Sequence, residues 1–219
     1  GRLTEPLFTF FSGSKQRLHS TCQSLAKPMD VKGMMSALRT HYPKDEEKVF
    51  THGSVRSVCM HAGGMVGDQT TGSLVAVLRE QKPSTLWVTG SSTPCISLFK
   101  PVFLELDTGA PVFAEEAAAN QYWLRRESIH RGVLSGKIDP AEIKKQRDIL
   151  EGKWIAQESK LLEEDHPDVN QLKEFAEKAS IEENNFINRF TSDKGWSMPQ
   201  KGRFNRYWNN KNALLEKVE

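Results

Sequence analysis

Four segments decide the fold of this chain: Ser54-Val-Arg-Ser-Val-Cys-Met-His-Ala-Gly63, Gln69-Thr-Thr-Gly-Ser-Leu-Val-Ala-Val-Leu78, Leu86-Trp-Val-Thr-Gly90 and Ile96-Ser-Leu-Phe-Lys-Pro-Val-Phe103. They are rich in Val, Leu, Thr and aromatic residues and are bounded by Gly, Asp, Pro and Ser, a composition typical of strands joined by short loops. The pattern predicts antiparallel strands over 54–60, 70–78, 84–89 and 96–106. Because small-molecule sites are often built from polar residues at strand ends, this meander is the first place to expect a site.

Helices are predicted on both sides of the meander. Ser12 to Leu25 carries an apolar face at helical spacing, and Asp30 opens a second helix over 31–42 that stops at Pro43. The chain changes character near residue 112, where long charged stretches with helical periodicity begin. They predict three helices, over 115–134, 139–164 and 168–190.

The organisation that follows is a strand-rich part over 1–112, a helical subdomain over 113–190 and an aromatic and basic tail over 191–219. The tail is expected to be an extended strap or a mobile segment. Its aromatic residues favour anchoring on a groove of the same protein or of a second subunit over stacking with nucleic-acid bases. The fold class is α+β.

Composition excludes several classes of function. A hydrophobic fraction of 37% in 219 residues suffices for a core, and 30 basic against 28 acidic residues give no field that draws nucleic acid or an anionic membrane. The apolar runs are too short for a membrane span, which needs about 20 residues. Three cysteines outside any CxxC pattern argue against a disulfide framework and favour a reducing compartment, so we expect a cytoplasmic protein.

Spacing along the chain predicts neither a metal nor a cofactor. No two of the six histidines stand at ligand spacing, and no phosphate-cradling glycine motif is present. Cys59 and His61 alternate along a predicted strand, where neighbours on one face stand about 6.5 to 7 Å apart at the backbone. That separation is too long for an easy thiolate–imidazole hydrogen bond, so Cys59 is interpreted as a core residue.

Candidate substrate-binding residues follow from position. His61 ends a predicted strand before Ala62-Gly-Gly64, where it either faces a cleft or is a structural histidine bonded to a loop. Thr71 and Ser73 begin the next strand, and their hydroxyls either bind the main chain of a substrate or pair across the sheet.

Several short motifs resemble the carboxy-terminal half of the cysteine dipeptidase and secernin family of N-terminal-nucleophile hydrolases. The likeness runs from about Leu7 to Phe103 and is carried by Phe10-Phe-Ser-Gly-Ser-Lys-Gln-Arg17, Val58-Cys-Met-His61, Thr70-Thr-Gly-Ser-Leu-Val-Ala-Val-Leu78 and Thr89-Gly-Ser-Ser-Thr-Pro-Cys-Ile-Ser-Leu-Phe-Lys-Pro101. It implies the second half of a four-layer α/β/β/α fold, followed here by the helical subdomain. In this family an amino-terminal cysteine attacks the amide carbonyl and its own amine is the base. The resemblance also makes Arg17 a candidate for substrate binding.

The resemblance implies a nucleophile upstream of this chain, because Gly1 has no side chain and the cysteines are internal. We therefore expect an upstream half of the same protein as partner, a dipeptide or similar small amide as substrate, and a homo-oligomer as one possible assembly. Alone, the chain is expected to be inactive. Two alternatives stay open: a secernin-like scaffold or regulatory protein in secretion, and a free-standing binding fragment.

Overall fold

The chain folds into a three-stranded antiparallel sheet backed by helices, in a computed structural model that describes residues 5–25, 28–104, 106, 115–191, 196–199 and 201–215. The strands are β1 (Ser73–Val77), β2 (Thr85–Thr89) and β3 (Lys100–Phe103), and β2 lies between the other two. Val75 of β1 pairs with Trp87 of β2, which in turn pairs with Pro101 of β3. The mixture of helix and sheet confirms the predicted α+β class.

Eight α-helices accompany this sheet in the described part of the chain. Their bounds are α1 (Pro6–Ser12), α2 (Ser14–Ser24), α3 (Val31–Leu38), α4 (Val49–His52), α5 (Glu116–Leu134), α6 (Pro140–Leu161), α7 (Val169–Phe190) and α8 (Arg203–Leu215). Short 3₁₀ turns cover Glu46–Lys48 and Pro94–Ile96. Asp30, Asp139 and Asp168 cap α3, α6 and α7, each accepting a backbone N–H of the first turn.

One face of the sheet lies in the main core. Val75, Trp87 and Phe103 point to that face and are buried among α3, α6 and α7. Buried residues of α6 and α7, such as Trp154 and Phe175, belong to the same core. The helices predicted as a subdomain therefore share their core with the sheet, and the predicted boundary near residue 112 lies outside the described residues.

The opposite face of the sheet is also mostly apolar, and the described part of the chain leaves much of it uncovered. Strand alternation and register place on it Lys100, which is buried and paired with Glu183, and the apolar residues Leu74, Ala76, Leu86, Val88 and Val102. Leu74 and Ala76 are exposed and the other three apolar residues are half-buried. We call these five apolar residues the open face. An antiparallel sheet that faces water on one side usually carries polar residues there.

The strand predicted over 54–60 is absent, and this prediction was wrong. Ser54 and His61 form an isolated antiparallel bridge, and residues 55–59 between them bend away from a straight strand. Gly53 and Gly63, at φ values of 70° and 109°, adopt left-handed backbone conformations that flank the bridge. Residues 53–66 therefore form a loop, which we call the His61 loop.

The tail also differs from its prediction, because residues 203–215 form the helix α8 rather than an extended strap. Phe204 and Trp208 of α8 are buried against Ala62 of the His61 loop and against Leu134 and Met198. The tail is thus anchored on its own chain. The contact is close: a Cβ added to Gly63 would lie 2.4 Å from the ring of Phe204.

Candidate functional site

Four buried side chains meet between the sheet, α3 and the His61 loop: His41, Cys59, His61 and Cys95. None of the four is more than 5% exposed. One ligand atom of each, a ring nitrogen or a sulfur, lies within 4.8 Å of the other three. We call this group the Cys/His cluster.

Three segments supply the cluster, and each is fixed by backbone hydrogen bonds. The carbonyl of Thr40, next to His41, accepts the N–H of Cys59 at 3.2 Å. The bridge to Ser54 holds His61 through bonds of 2.7 and 3.0 Å. Cys95 lies in a 3₁₀ turn, and its carbonyl accepts a hydrogen bond from the guanidinium of Arg147.

The ring nitrogen Nε2 of His61 is at the centre of the cluster. It lies 3.6 Å from Sγ of Cys59, 3.5 Å from Sγ of Cys95 and 3.2 Å from Nε2 of His41. The opposite nitrogen of the His41 ring, Nδ1, lies 3.0 Å from Oε2 of Glu46. Thr93 Oγ1 lies 3.2 Å from Sγ of Cys95.

The surroundings shift the pKa values of the two buried thiols in opposite directions. Burial raises the pKa of Cys59, and its hydrogen bond to Cys95 raises it further. Burial also acts to raise the pKa of Cys95, but hydrogen bonds with Cys59, His41 and His61 outweigh it and hold the pKa well below its usual range. Cys95 is therefore the thiol that ionises first.

The pKa values of the two histidines are also shifted in opposite directions. Burial acts to lower the pKa of His41, but Cys95 and Glu46 outweigh it, so the pKa of His41 is raised. Burial lowers the pKa of His61, and Cys95 offsets that effect only in part. His41 is therefore the ring that carries a proton more readily, next to the Cys95 sulfur.

A hollow of about 230 Å³ lies against the cluster and opens to solvent. Cys95 and His41 form part of its wall, and residues of α3 and α6, the majority of them charged, form most of the rest. Across it, Glu151 of α6 accepts two hydrogen bonds from the guanidinium of Arg39, at 2.5 and 2.7 Å. Arg39 also donates to the carbonyls of Pro94 and Ser97, so this ion pair fixes the turn that carries Cys95.

The candidate residues from the sequence are dispersed. His61 lies in the Cys/His cluster, which does not include Arg17, Thr71 or Ser73. Nη1 of Arg17 donates to the carbonyls of Ser12 and Val55, both at 2.5 Å. These bonds attach α2 to the His61 loop. Thr71 is exposed just before β1, and Ser73 is its half-buried first residue.

Sequence reasoning missed His41, Cys59 and Cys95 as members of one site. Cys59 is buried as expected, but its sulfur lies 3.6 Å from Nε2 of His61, so the prediction that the two side chains are too far apart to interact was wrong. The prediction of no metal site rested on spacing along the chain, and the fold brings four metal-ligating side chains together. The signal available in the sequence was the tendency of free cysteines to be buried, which would have placed both Cys59 and Cys95 in the core.

Comparison of this chain with protein-family models, with curated proteins and with solved structures found no match. In the part of the chain that the structure describes, no helix combines the length and the apolar character required to cross a bilayer.

Proposed function

We propose that this chain is the carboxy-terminal part of a cysteine-type amidohydrolase of the N-terminal-nucleophile class, acting on dipeptides or similar small amides. The observation that carries the proposal is the open face: Leu74, Ala76, Leu86, Val88 and Val102 form an apolar layer that the described residues leave partly exposed. The four motifs between residues 10 and 101 that resemble the cysteine dipeptidase and secernin family support it.

The open face has the character of the inner side of a sheet stack. Leu74 is 53% exposed, and the neighbouring Leu78 and Leu104 are 74% and 60% exposed. Contiguous apolar surface of this kind on a protein marks a contact region. Two stacked sheets pack about 10 Å apart with apolar side chains interlocked between them. The occupant that we propose is therefore a second antiparallel sheet, supplied by the upstream half of the same protein.

The chemistry is divided between the two halves in this proposal. The upstream half supplies a cysteine whose free amine takes the thiol proton, and the thiolate attacks the amide carbonyl. Cys22, Cys59 and Cys95 do not fill this role, because their backbone nitrogens are amides rather than amines. This chain supplies pocket walls, with Thr71 and Ser73 at the start of β1 and Arg17 on α2 as the side chains offered to substrate. The compartment that we propose is the cytoplasm.

The test is to express this chain together with the polypeptide encoded upstream of it and to measure association and dipeptide hydrolysis. We expect a stable complex that hydrolyses dipeptides. Leu74→Asp should abolish association, because it places a charge on the open face. The matched control is Leu214→Asp: Leu214 lies on α8 and is 57% exposed, so the same change there should leave the complex intact.

Two results would decide against the proposal. If Leu74→Asp and Leu214→Asp associate equally well with the upstream polypeptide, the open face is not the contact. A stable complex that turns over no dipeptide or small amide would favour the alternative of a secernin-like scaffold.

A further inference from the structure

We propose that His41, Cys59, His61 and Cys95 bind a zinc ion as a closed, four-coordinate structural site. All four ligands belong to the described part of this chain, so the inference is independent of the proposed hydrolase function.

The crowding at Nε2 of His61 is the first observation. Two sulfurs and the Nε2 of His41 lie within 3.6 Å of this one atom. An imidazole nitrogen has either one N–H or one lone pair, so it serves only one of these neighbours as a hydrogen-bond partner. A cation between the four atoms would use the lone pairs of all of them.

The distances fit the coordination geometry of zinc. With Zn–S bonds of about 2.3 Å and Zn–N bonds of about 2.0 to 2.1 Å, tetrahedral geometry separates neighbouring ligand atoms by about 3.3 to 3.8 Å. The distances from His61 Nε2, at 3.6 and 3.5 Å to the sulfurs and 3.2 Å to His41, lie at or next to this range. The other pairs of ligand atoms are at most 4.8 Å apart. They would therefore have to approach one another by no more than about 1 Å to bind one ion.

Charge and burial select the metal. Two cysteine thiolates and two neutral histidines around a divalent ion make a site without net charge, which suits an interior where no ligand is more than 5% exposed. Two sulfur and two nitrogen donors in tetrahedral arrangement favour zinc over magnesium or calcium, which prefer oxygen donors. Four protein ligands leave no open position, which is typical of a structural rather than a catalytic zinc.

Glu46 is the second, independent observation. Its Oε2 lies 3.0 Å from Nδ1 of His41, the ring nitrogen that does not face the cluster. Metal-binding histidines commonly donate this other N–H to a carboxylate, which fixes the ring and strengthens the metal bond. The solvent-open hollow beside His41 and Cys95 is an entry path for the ion.

The experiment measures metal in the protein as purified from cells grown with added zinc. We expect one zinc ion per chain, and replacement of zinc by cobalt should give the visible bands of tetrahedral cobalt with a thiolate-to-cobalt charge-transfer band. Cys59→Ser and Cys95→Ser should reduce bound metal to background. Cys22→Ser is the matched control, because Cys22 is an exposed free cysteine that does not belong to the cluster. This variant should retain the ion.

A milder pair of variants avoids the risk that a cluster variant fails to fold. Glu46→Gln should lower the affinity for zinc about 10- to 100-fold, measured by competition with a chromogenic chelator. Glu47→Gln is its control: Glu47 is the next residue, equally exposed, and its loss removes the same charge. The affinity of Glu47→Gln should match that of the wild type.

Three results would overturn the zinc site. They are a folded wild-type protein with reduced thiols that binds neither zinc nor cobalt, cobalt spectra without thiolate ligation, and a Cys59–Cys95 disulfide in protein prepared under reducing conditions. Equal affinities of the two glutamate variants would remove Glu46 from the site.

Discussion

Glu151→Ala should cause a large loss of stability, because Glu151 is a buried carboxylate with several hydrogen-bond donors. Oε1 of Glu151 accepts from Arg39 at 2.5 Å and from the backbone N–H of Phe99 at 2.7 Å, and Oε2 accepts from Arg39 at 2.7 Å. The two charged side chains are only 10% and 5% exposed. The substitution therefore leaves a buried guanidinium without its counter-charge and a buried N–H without an acceptor.

The magnitude follows from these two orphaned groups. Removing one partner of a buried ion pair costs about 3 to 5 kcal/mol, and the unpaired N–H of Phe99 accounts for about 1 to 3 kcal/mol of such a loss. Arg39 keeps its bonds to the carbonyls of Pro94 and Ser97, which limits the total. We expect the free energy of unfolding to fall by about 3 to 5 kcal/mol.

Urea denaturation followed by circular dichroism measures this loss, and α6 itself offers the control. Glu142 on the same helix pairs with Arg189, and these side chains are 41% and 59% exposed. Because exposed pairs are worth about 0.2 to 1 kcal/mol, Glu142→Ala should shift the midpoint only slightly. Equal losses for Glu151→Ala and Glu142→Ala would refute the reasoning, because burial would then have no effect on the worth of the pair.

Three further predictions concern other parts of the molecule. Gly63→Ala should destabilise the protein, because its Cβ would lie 2.4 Å from the ring of Phe204. Gly152→Ala on α6 has open space around it and should stabilise the protein by about 1 kcal/mol. Thermal melts of the two variants and the wild type test this difference. Burial acts to raise the pKa of Glu127, but His130 and Arg131 outweigh it and lower the pKa. Its contribution to stability should therefore be complete above the unfolded pKa of about 4.5 and be lost as pH falls through the lower folded value; Glu127→Gln should flatten the pH dependence of unfolding in that window. Arg17→Ala should speed amide exchange in α2, because it removes the bond to the His61 loop; a loss of dipeptide turnover in the same variant would support the substrate-binding role proposed for Arg17.

The parts of the fold that could be predicted are those fixed by local chemistry. Asp30, Asp139 and Asp168 are cap residues that precede apolar stripes, and each begins a helix as predicted. The composition of β1 and β2, rich in Val, Leu, Thr and aromatic residues, likewise identified strands. In the His61 loop, Val55 and Val58 imitate strand composition, but the left-handed glycines at 53 and 63 turn the chain.

The site was not predictable, because it depends on long-range packing. His41 follows α3, Cys59 and His61 lie on the loop, and Cys95 lies in a 3₁₀ turn fixed by α6 through Arg147 and Glu151. Spacing rules for metal ligands assume that pairs are close in sequence. Only Cys59 and His61 are close in sequence here, and packing of the chain brings His41 and Cys95 to them.

The docking of α8 sets an order of events during synthesis of the protein. Phe204 and Trp208 cover Ala62, and the hydroxyl of Tyr207 donates to the carbonyl of Gly67 at 3.3 Å. The loop that carries His61 therefore gains its last neighbours only after about 140 further residues have been translated. Until residue 208 has left the ribosome, α8 cannot pack on this loop. A nascent chain that stalls earlier would leave the loop exposed to proteases and chaperones.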